Sequence, residues 1–382
     1  MWIQKDRAID LNTTFSQSYL NAICLGFILQ GPVSSCETYG NGHINDTWLV
    51  TCNNQGKKVH YILQRINHTI FKNVPALMEN VDRVCSHMRT LRLESGAVKG
   101  LRRPLTLCLT HEQKSYYQDK EGNFWRVYDF IEDTVSVDVL ESDKQAYEAA
   151  KSFGAFQRCL SNLPGNRLNE TIPNFHNTVS RFAVFKEMVR SDPEARASSA
   201  LIEIEFVLNR ESLASKLLVL MQSGAISERI THNDTKINNV LLDPKTGEGV
   251  CVIDLDTVMP GLGLYDFGDM VRSASNSAAE DEVNLDLVKF RMPIFEALVR
   301  GYLSGAGDML NESEKAHLPT AAQVITFENG MRFLTDYLNG DKYFKIKRPL
   351  HNLERARNQF ALLRSMENHD SSMHHFVAQF AS

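Results

Sequence analysis

The sequence predicts an α+β chain in two lobes, a small antiparallel-sheet lobe over 1–132 and a larger, mostly helical lobe over 133–382. Three observations predict it. Short β-rich runs separated by Gly and Asn turns fill the N-terminal part, helical apolar stripes dominate from Ser142 onward, and no Pro/Gly/Ser-rich spacer separates the two, as fits lobes joined at a hinge. With 382 residues, 43% of them apolar and 23% charged, the chain can bury more than one core.

Phe15 to Gln30 carries Tyr19, Leu20, Ile23, Cys24 and Phe27 on one helical stripe closed by Gly31-Pro32, which predicts a first helix. Strands follow near Val33 to Thr38, Thr47 to Cys52 and Val59 to Ile66, with turns at Tyr39 to Asn45 and Asn53 to Gly56. Val74 to Leu93 is a helix with Leu77, Met78, Val81, Val84, Cys85 and Met88 on its apolar side. Phe124 to Glu132, rich in aromatics, is the last strand of the small lobe. Further helices are expected at Lys144 to Leu160, Thr178 to Arg190, within Ala195 to Ser223, and at Glu282 to Leu303, Ala321 to Leu338 and Leu353 to Met366.

A net charge of −5 without a basic run argues against nucleic acid as a partner. Seven scattered cysteines, odd in number and without C-x-x-C spacing, fit reduced thiols in a cytoplasm. Val33-Ser-Ser-Cys36 behind the apolar run Ala22 to Leu29 imitates a lipoprotein cleavage site, but Asp6, Asp10 and the polar Asn12 to Ser18 break the leader, and the run is too short to span a membrane. A cytoplasmic chain with no membrane partner is therefore expected.

The informative stretch is Ile230 to Asp256. His232-Asn-Asp234-Thr-Lys236-Ile-Asn-Asn239 matches His-x-Asp-x-x-x-x-Asn, and Val240 to Leu242 and Val250 to Ile253 read as a hairpin that carries this loop at one end of its sequence and Asp254 at the other. Each piece alone is an ordinary turn former. Together they place a carboxylate to orient an attacking hydroxyl (Asp234) and two oxygen ligands for Mg²⁺ (Asn239, Asp254), which is what phosphoryl transfer from a nucleotide requires. His232 is expected to brace the loop, and Asp256, on the same face as Asp254 if the strand continues, reaches metal or substrate. Asp266-Phe267-Gly268 spells a metal-binding triplet but stands thirty-two residues after Asp234, so Asp266 and Asp269 are read as charges near a helix start that cap it or brace the site.

On this reading the small lobe holds ATP. Gly40 and Gly42 suit a loop whose backbone N–H groups cover phosphates, though a plain hairpin needing positive φ has the same sequence. The third strand has no lysine in the place usual for this plan. Gln64 or Arg65 takes the position, with Glu79 available as a helix partner, and strand alternation sends Gln64 and Arg65 to opposite faces. The backbone of Phe130, Ile131 and Glu132 at the hinge is where an adenine edge would be read, and a buried structural strand would look alike.

Tyr39 to Asn45, Tyr61-Ile-Leu-Gln64, Trp125-Arg-Val-Tyr128, Phe130-Ile-Glu132, Thr231 to Asn239, Ile253 to Gly261, Tyr265-Asp-Phe-Gly-Asp269 and Gly330-Met-Arg332-Phe-Leu together resemble the N-acetylhexosamine 1-kinases of the aminoglycoside phosphotransferase and choline kinase superfamily. The resemblance runs from about Tyr39 to Arg357. It implies a bilobal protein-kinase-like fold and MgATP-dependent phosphorylation of the anomeric hydroxyl of N-acetylglucosamine or N-acetylgalactosamine. It also implies sugar contacts at His43, Arg332 and Tyr343, and a glutamine at Gln64 as the family's own choice. The chain departs from it at Ser273, where the family has an aromatic near the sugar. Glu328, Arg332 and Asp336, spaced i, i+4, i+8, would also make an ordinary salt-bridge ladder. Two other readings stand beside this one: the same fold acting on another small hydroxyl compound (another sugar, choline, homoserine, an aminoglycoside), and a catalytically dead binding module. The partners expected are a sugar and a nucleotide; the oligomeric state stays open, with a monomer favoured.

Overall fold

Side chains that alternate between two faces build the sheet of the N-terminal unit. The computed structural model describes residues 15–40, 44–95, 101–137, 139–140 and 142–380, and the chain divides into one unit of Met1–Asp82 with Leu105–Glu132 and another of Arg83–Pro104 with Asp133–Ser382.

In the first unit, helix α1 (Gln17–Cys24) is capped by the Ser16 hydroxyl and stops well short of the expected Gln30. The chain turns at Leu25-Gly26 so that Phe27 can bridge Thr110, a distant strand-like partner that no local stripe reveals. Strands β1 (Val33–Thr38), β2 (Asp46–Asn54) and β3 (Lys57–Ile66) form the expected meander. Helix α2 (Val74–Ser95) follows, its residues from Arg83 on belonging to the second unit; then come the short β4 (Leu107–Cys108) and β5 (Tyr117–Gln118), and β6 (Phe124–Asp129). The sheet is ordered β1-β2-β3-β6-β4, with β5 also on β6, and these pairings are antiparallel. Trp48, Val50 and Cys52 of β2, Tyr61 and Leu63 of β3, and Trp125 and Val127 of β6 share one face and pack under Leu20, Ile23 and Cys24 of α1. The remaining face carries Gln64 and Arg126, which are direct partners across β3 and β6.

Among the described residues the second unit is helical apart from two small β pairs and isolated bridges. Its helices are α3 (Asp143–Leu160), α4 (Thr178–Ser191), α5 (Leu201–Leu208) and α6 (Glu211–Gln222); β7 (Glu228–Thr231), β8 (Val240–Leu242), β9 (Gly249–Val252) and β10 (Met259–Leu262) come next. Then follow α7 (Gly263–Ala274), α8 (Met292–Ala306), α9 (Glu312–Ala316), α10 (Leu318–Leu338), α11 (His351–Glu367) and α12 (Asp370–Ala378). The segment expected as one long helix within Ala195 to Ser223 breaks at Asn209-Arg210. The helix expected from Glu282 begins only at Met292, where Pro293 fits the first turn; upstream, the Asn284 side chain caps a short 3₁₀ turn instead. No helix among the described residues is long and apolar enough to cross a membrane, and all seven cysteines are free and buried.

Helices α3 and α8 approach backbone to backbone. A methyl at Gly301 or Gly305 would meet the Tyr147 or Lys151 carbonyl, and one at Gly154 the Tyr302 carbonyl. Gly305→Ala is therefore expected to cost about 1 to 3 kcal/mol despite alanine's better helix propensity, read as a lowered thermal midpoint; an unchanged midpoint would show that the helices shift apart freely.

Candidate active site

β7 pairs with β10, and β8 with β9, both antiparallel. Val240 opposite Val252 puts the end of the 232–239 loop and the start of the 253–257 segment at the same open end of the β8–β9 hairpin. The opposite end is closed by the Asp243 side chain, which accepts from the Lys245 and Thr246 N–H groups at 2.8 and 3.0 Å. Two bonds hold the open end together: the Ile253 N–H donates to the Asn239 carbonyl at 2.9 Å, and His232 Nε2 donates to the Ile253 carbonyl at 2.9 Å. His232 is fully buried against the edges of Phe153 and Phe156, and its Nδ1 accepts the Asp234 N–H at 3.3 Å. It thus braces the loop from beneath.

The loop bends through Asn233 at φ +63°, and the neighbouring segment through Asp254 at φ +59°. Such backbone is costly for non-glycine residues and persists when the surroundings enforce it. Asp266 is the enforcing group at Asn233. Its Oδ1 accepts the Asn233 N–H at 2.7 Å, its Oδ2 accepts the His232 N–H at 2.8 Å and also Gln157 Nε2, and its carbonyl accepts the Thr235 hydroxyl at 2.6 Å. Tyr302 donates to Gln157 Oε1 at 2.6 Å, which carries the network on to α8. Burial pushes the Asp266 carboxyl up, against the pull of His232 and these N–H groups. Asp266 thus lies inside the loop as its brace.

Asp234 meets Lys236 at 3.0 Å, with a quarter of its side chain exposed and nearly half of the lysine's. Burial acts to raise the Asp234 carboxyl, but the Lys236 ammonium outweighs it and holds the group below the usual carboxylate range. Asp234 in turn raises Lys236. Sequence reading gave Lys236 no role, although its place two residues after Asp234 was the available signal. The Asn239 side-chain nitrogen donates to the Asp234 carbonyl at 2.8 Å and to Oδ2 at 3.3 Å, which turns its Oδ1 away from Asp234. Asp254 is exposed, next to the Ile253 that bonds Asn239. Among the described residues no group of three or more His, Cys, Asp or Glu is placed to hold a metal ion. One carboxamide oxygen and one exposed carboxylate fit instead a hard cation that takes its remaining ligands from phosphates and water.

Asp256 is not where strand alternation put it. The strand ends at Val252 and residues Leu255–Thr257 form a 3₁₀ turn, so Asp256 is buried, with its carbonyl accepting the Thr171 hydroxyl at 3.0 Å. Asp269 accepts Arg272 Nε at 2.8 Å, and Arg272 also reaches Glu280 at 2.9 Å. Ser273 bonds back to the Asp269 carbonyl at 2.9 Å.

The salt-bridge ladder on α10 does not form. Glu328 is bonded by His176 Nδ1 at 2.7 Å and the Thr178 hydroxyl at 2.6 Å, while Asp336 accepts the N–H groups of Lys342, Tyr343 and Phe344 at 2.8 to 3.0 Å. Arg332 lies with its guanidinium 5.2 Å from the Phe175 ring and 5.6 Å from Phe344, and its Nε is buried without a hydrogen-bond partner. Tyr343 packs edge-on against Phe344 at 4.8 Å and is 53% exposed.

In the first unit, Gly40 at φ +75° ends β1, a conformation that suits glycine, and nothing would crowd a side chain there. Gly42 and His43 lie outside the described residues. Gln64 Oε1 accepts Arg126 Nε at 3.0 Å and its Nε2 donates to Thr47 at 3.1 Å, whereas Arg65 turns to Asp46. The fully buried Arg126 is the cation beside Gln64 that sequence reading missed; a charge inside the aromatic run Trp125 to Tyr128 was the clue. Glu79 is on the exposed side of α2. The Phe130 N–H is taken by the His60 carbonyl at 3.2 Å, Ile131 is buried, and Glu132 meets His60 Nδ1 at 2.6 Å.

Solved structures share this protein-kinase-like fold. An aminoglycoside phosphotransferase from Alicyclobacillus acidocaldarius subsp. acidocaldarius matches at 14% identity over 94% of this chain and 96% of its own, with a TM-score of 0.60. The microcompartment-associated aminopropanol kinase matches at 12% over 94% and 98%, TM-score 0.57. A spectinomycin phosphotransferase in complex with ADP and spectinomycin matches at 12% over 92% and 99%, TM-score 0.53. At these identities the likeness is one of fold. The sequence itself matches the family model APH, described as the phosphotransferase enzyme family, over residues 35–303. The chain belongs to the APH phosphotransferase enzyme family.

Proposed function

We propose that the protein is an ATP- and Mg²⁺-dependent kinase that phosphorylates the anomeric hydroxyl of N-acetylglucosamine or N-acetylgalactosamine to give the sugar 1-phosphate. Asp234 accepts the hydrogen bond of the anomeric hydroxyl and takes its proton as the O–P bond forms and the bond to the ADP leaving group breaks. Lys236 keeps that carboxylate ionised. Asn239 and Asp254 would hold Mg²⁺, which when bound neutralises phosphate charge. In the first unit, Gly40, Gly42 and Gln64 are assigned to the phosphates. The adenine edge is assigned to the backbone of Phe130, Ile131 and Glu132, of which the Phe130 N–H donates to the His60 carbonyl.

The observation that carries the acceptor class is Arg332. A guanidinium lined by two aromatic rings, in no close ion pair among the described residues although the Glu328 charge lies near, and with a buried unbonded Nε, is a ready donor for sugar oxygens. Arg181 stands near it: burial, and then the Arg332 charge, lower its affinity for its proton. Two neighbouring cations oppose an ammonium-bearing acceptor such as choline or an amino alcohol, and His43 and Tyr343 are the further sugar contacts in this reading; the buried Asp256 is not one of them. The departure at Ser273 leaves the preference between the two hexosamines to be measured.

The test is incubation with MgATP and a panel of hexosamines, neutral sugars and amino alcohols, following ADP and the phosphorylated product. ADP formed with choline but no hexosamine would replace the acceptor, and no ADP with any compound would favour a binding module. Arg332→Ala is expected to raise KM for the sugar about tenfold or more while kcat changes by less than about threefold; an unchanged sugar KM would remove Arg332 from the acceptor site.

A further inference from the structure

His176 stands outside the assigned chemistry, in the loop before α4, and its ring is 3% exposed. Nδ1 faces Glu328 Oε1 at 2.7 Å and Nε2 faces the Asn233 carbonyl at 3.0 Å. The Asn233 carbonyl only accepts, and so does Glu328 as a carboxylate; both ring nitrogens then carry protons and the ring is an imidazolium. Glu328, wholly buried, receives the Thr178 hydroxyl at 2.6 Å on its other oxygen; burial acts to raise its carboxyl, but the His176 charge outweighs this and holds it below the usual carboxylate range.

We propose that His176 is a positioning residue: held as an imidazolium by Glu328, it grips the carbonyl of Asn233 and so fixes the left-handed bend that aims Asp234. Asn233 is thereby held on both sides, its N–H by Asp266 and its carbonyl by His176. The same bonds occupy both Glu328 oxygens, and Arg332 one turn away interacts with that carboxylate only through its charge, its Nε without a hydrogen bond. The proposal rests on the kinase reading for its effect on turnover, and on the loop's geometry alone for its effect on structure.

Burial acts to lower the affinity of His176 for its proton, but Glu328 and the Asn233 carbonyl reverse this and raise it above the ordinary histidine value. The charged and titratable groups around the ring are Glu328 and Arg332 of α10 and Tyr265 of α7, whose ring is 5.3 Å away; Arg181 of α4 in turn acts on Glu328 and Arg332. For a group raised by folding, the contribution is complete below its unfolded value and is lost as pH rises through the folded one. An alkaline limb in kcat is therefore expected above the ordinary histidine range.

Two variants separate the bonds. In His176→Gln the side-chain nitrogen reaches the Nε2 position and keeps the donor to Asn233; in His176→Asn it replaces Nδ1 and leaves that carbonyl unheld. Turnover of His176→Asn is expected to fall about 100-fold with KM for MgATP within about twofold, and amide exchange in the peptide spanning 230–239 should speed up. His176→Gln should retain turnover within about fivefold, keep the exchange protection and lose the alkaline limb. Equal turnover and equal exchange in the two variants would overturn the proposal. Nitrogen-15 NMR of the wild-type ring supplies an arm that needs no variant to fold: a doubly protonated ring at neutral pH is expected, and a neutral one overturns the assignment. Should the wild-type chain phosphorylate no acceptor, the kinase reading fails, and the exchange and NMR arms still decide this proposal.

Discussion

Asp234→Asn is expected to lower kcat by about 10² to 10⁴-fold while leaving the affinity for MgATP within about threefold. The substitution keeps size and shape and removes the negative charge, and with it the acceptor for the hydroxyl proton. The loop should survive, because its shape depends on bonds made elsewhere: the Asp266 carboxylate to the 232 and 233 N–H groups, and His232 to the Ile253 carbonyl. Losing the partly exposed ion pair with Lys236 should change stability by no more than about 1 kcal/mol. Because Lys236 holds the carboxyl below its usual range, the ionised form persists as pH falls, and no acid limb from Asp234 is expected above the ordinary carboxylate values. Steady-state kinetics with both substrates varied checks this; near-normal turnover would mean that the base lies elsewhere.

Asp266→Ala is expected to be the most damaging change to structure and activity together. Asp266 is wholly buried, and its removal strands the His232 and Asn233 N–H groups and the Gln157 amide away from water. Buried donors left unmade, with the lost charge-assisted bonds, amount to about 3 to 5 kcal/mol. That corresponds to a midpoint lowered by roughly 10 °C for a unit of this size. Where the variant still folds, Asp234 loses its aim and kcat should fall about 100-fold. Scanning calorimetry and kinetics on one preparation check both; a wild-type midpoint would show that the loop does not depend on this carboxylate.

These two residues show what could be read in the sequence. The placement of Asp234, Asn239 and Asp254 at a hairpin was legible because their spacing is local: a five-residue loop and a hairpin follow from apolar runs and a turn. The brace at Asp266 was legible only as one of two options, since nothing in the chain says that α7 begins beside the loop. The α10 residues were misleading for a physical reason. Their i, i+4, i+8 spacing is that of a surface ladder, but α10 is buried over most of its length, so Glu328 and Asp336 bond to partners far along the chain and Arg332 is left to its aromatic neighbours. Arg126 beside Gln64 depends on strand register across sixty residues, and α1 ends early because Phe27 pairs with Thr110. Local periodicity carries neither kind of information.

The measurement that bears most directly on the account is phosphorus NMR of the product formed from MgATP and N-acetylglucosamine or N-acetylgalactosamine. The account predicts ADP together with a phosphate ester coupled to the anomeric proton. A phosphate on any other hydroxyl, or transfer to an amino alcohol with none to either sugar, would contradict it.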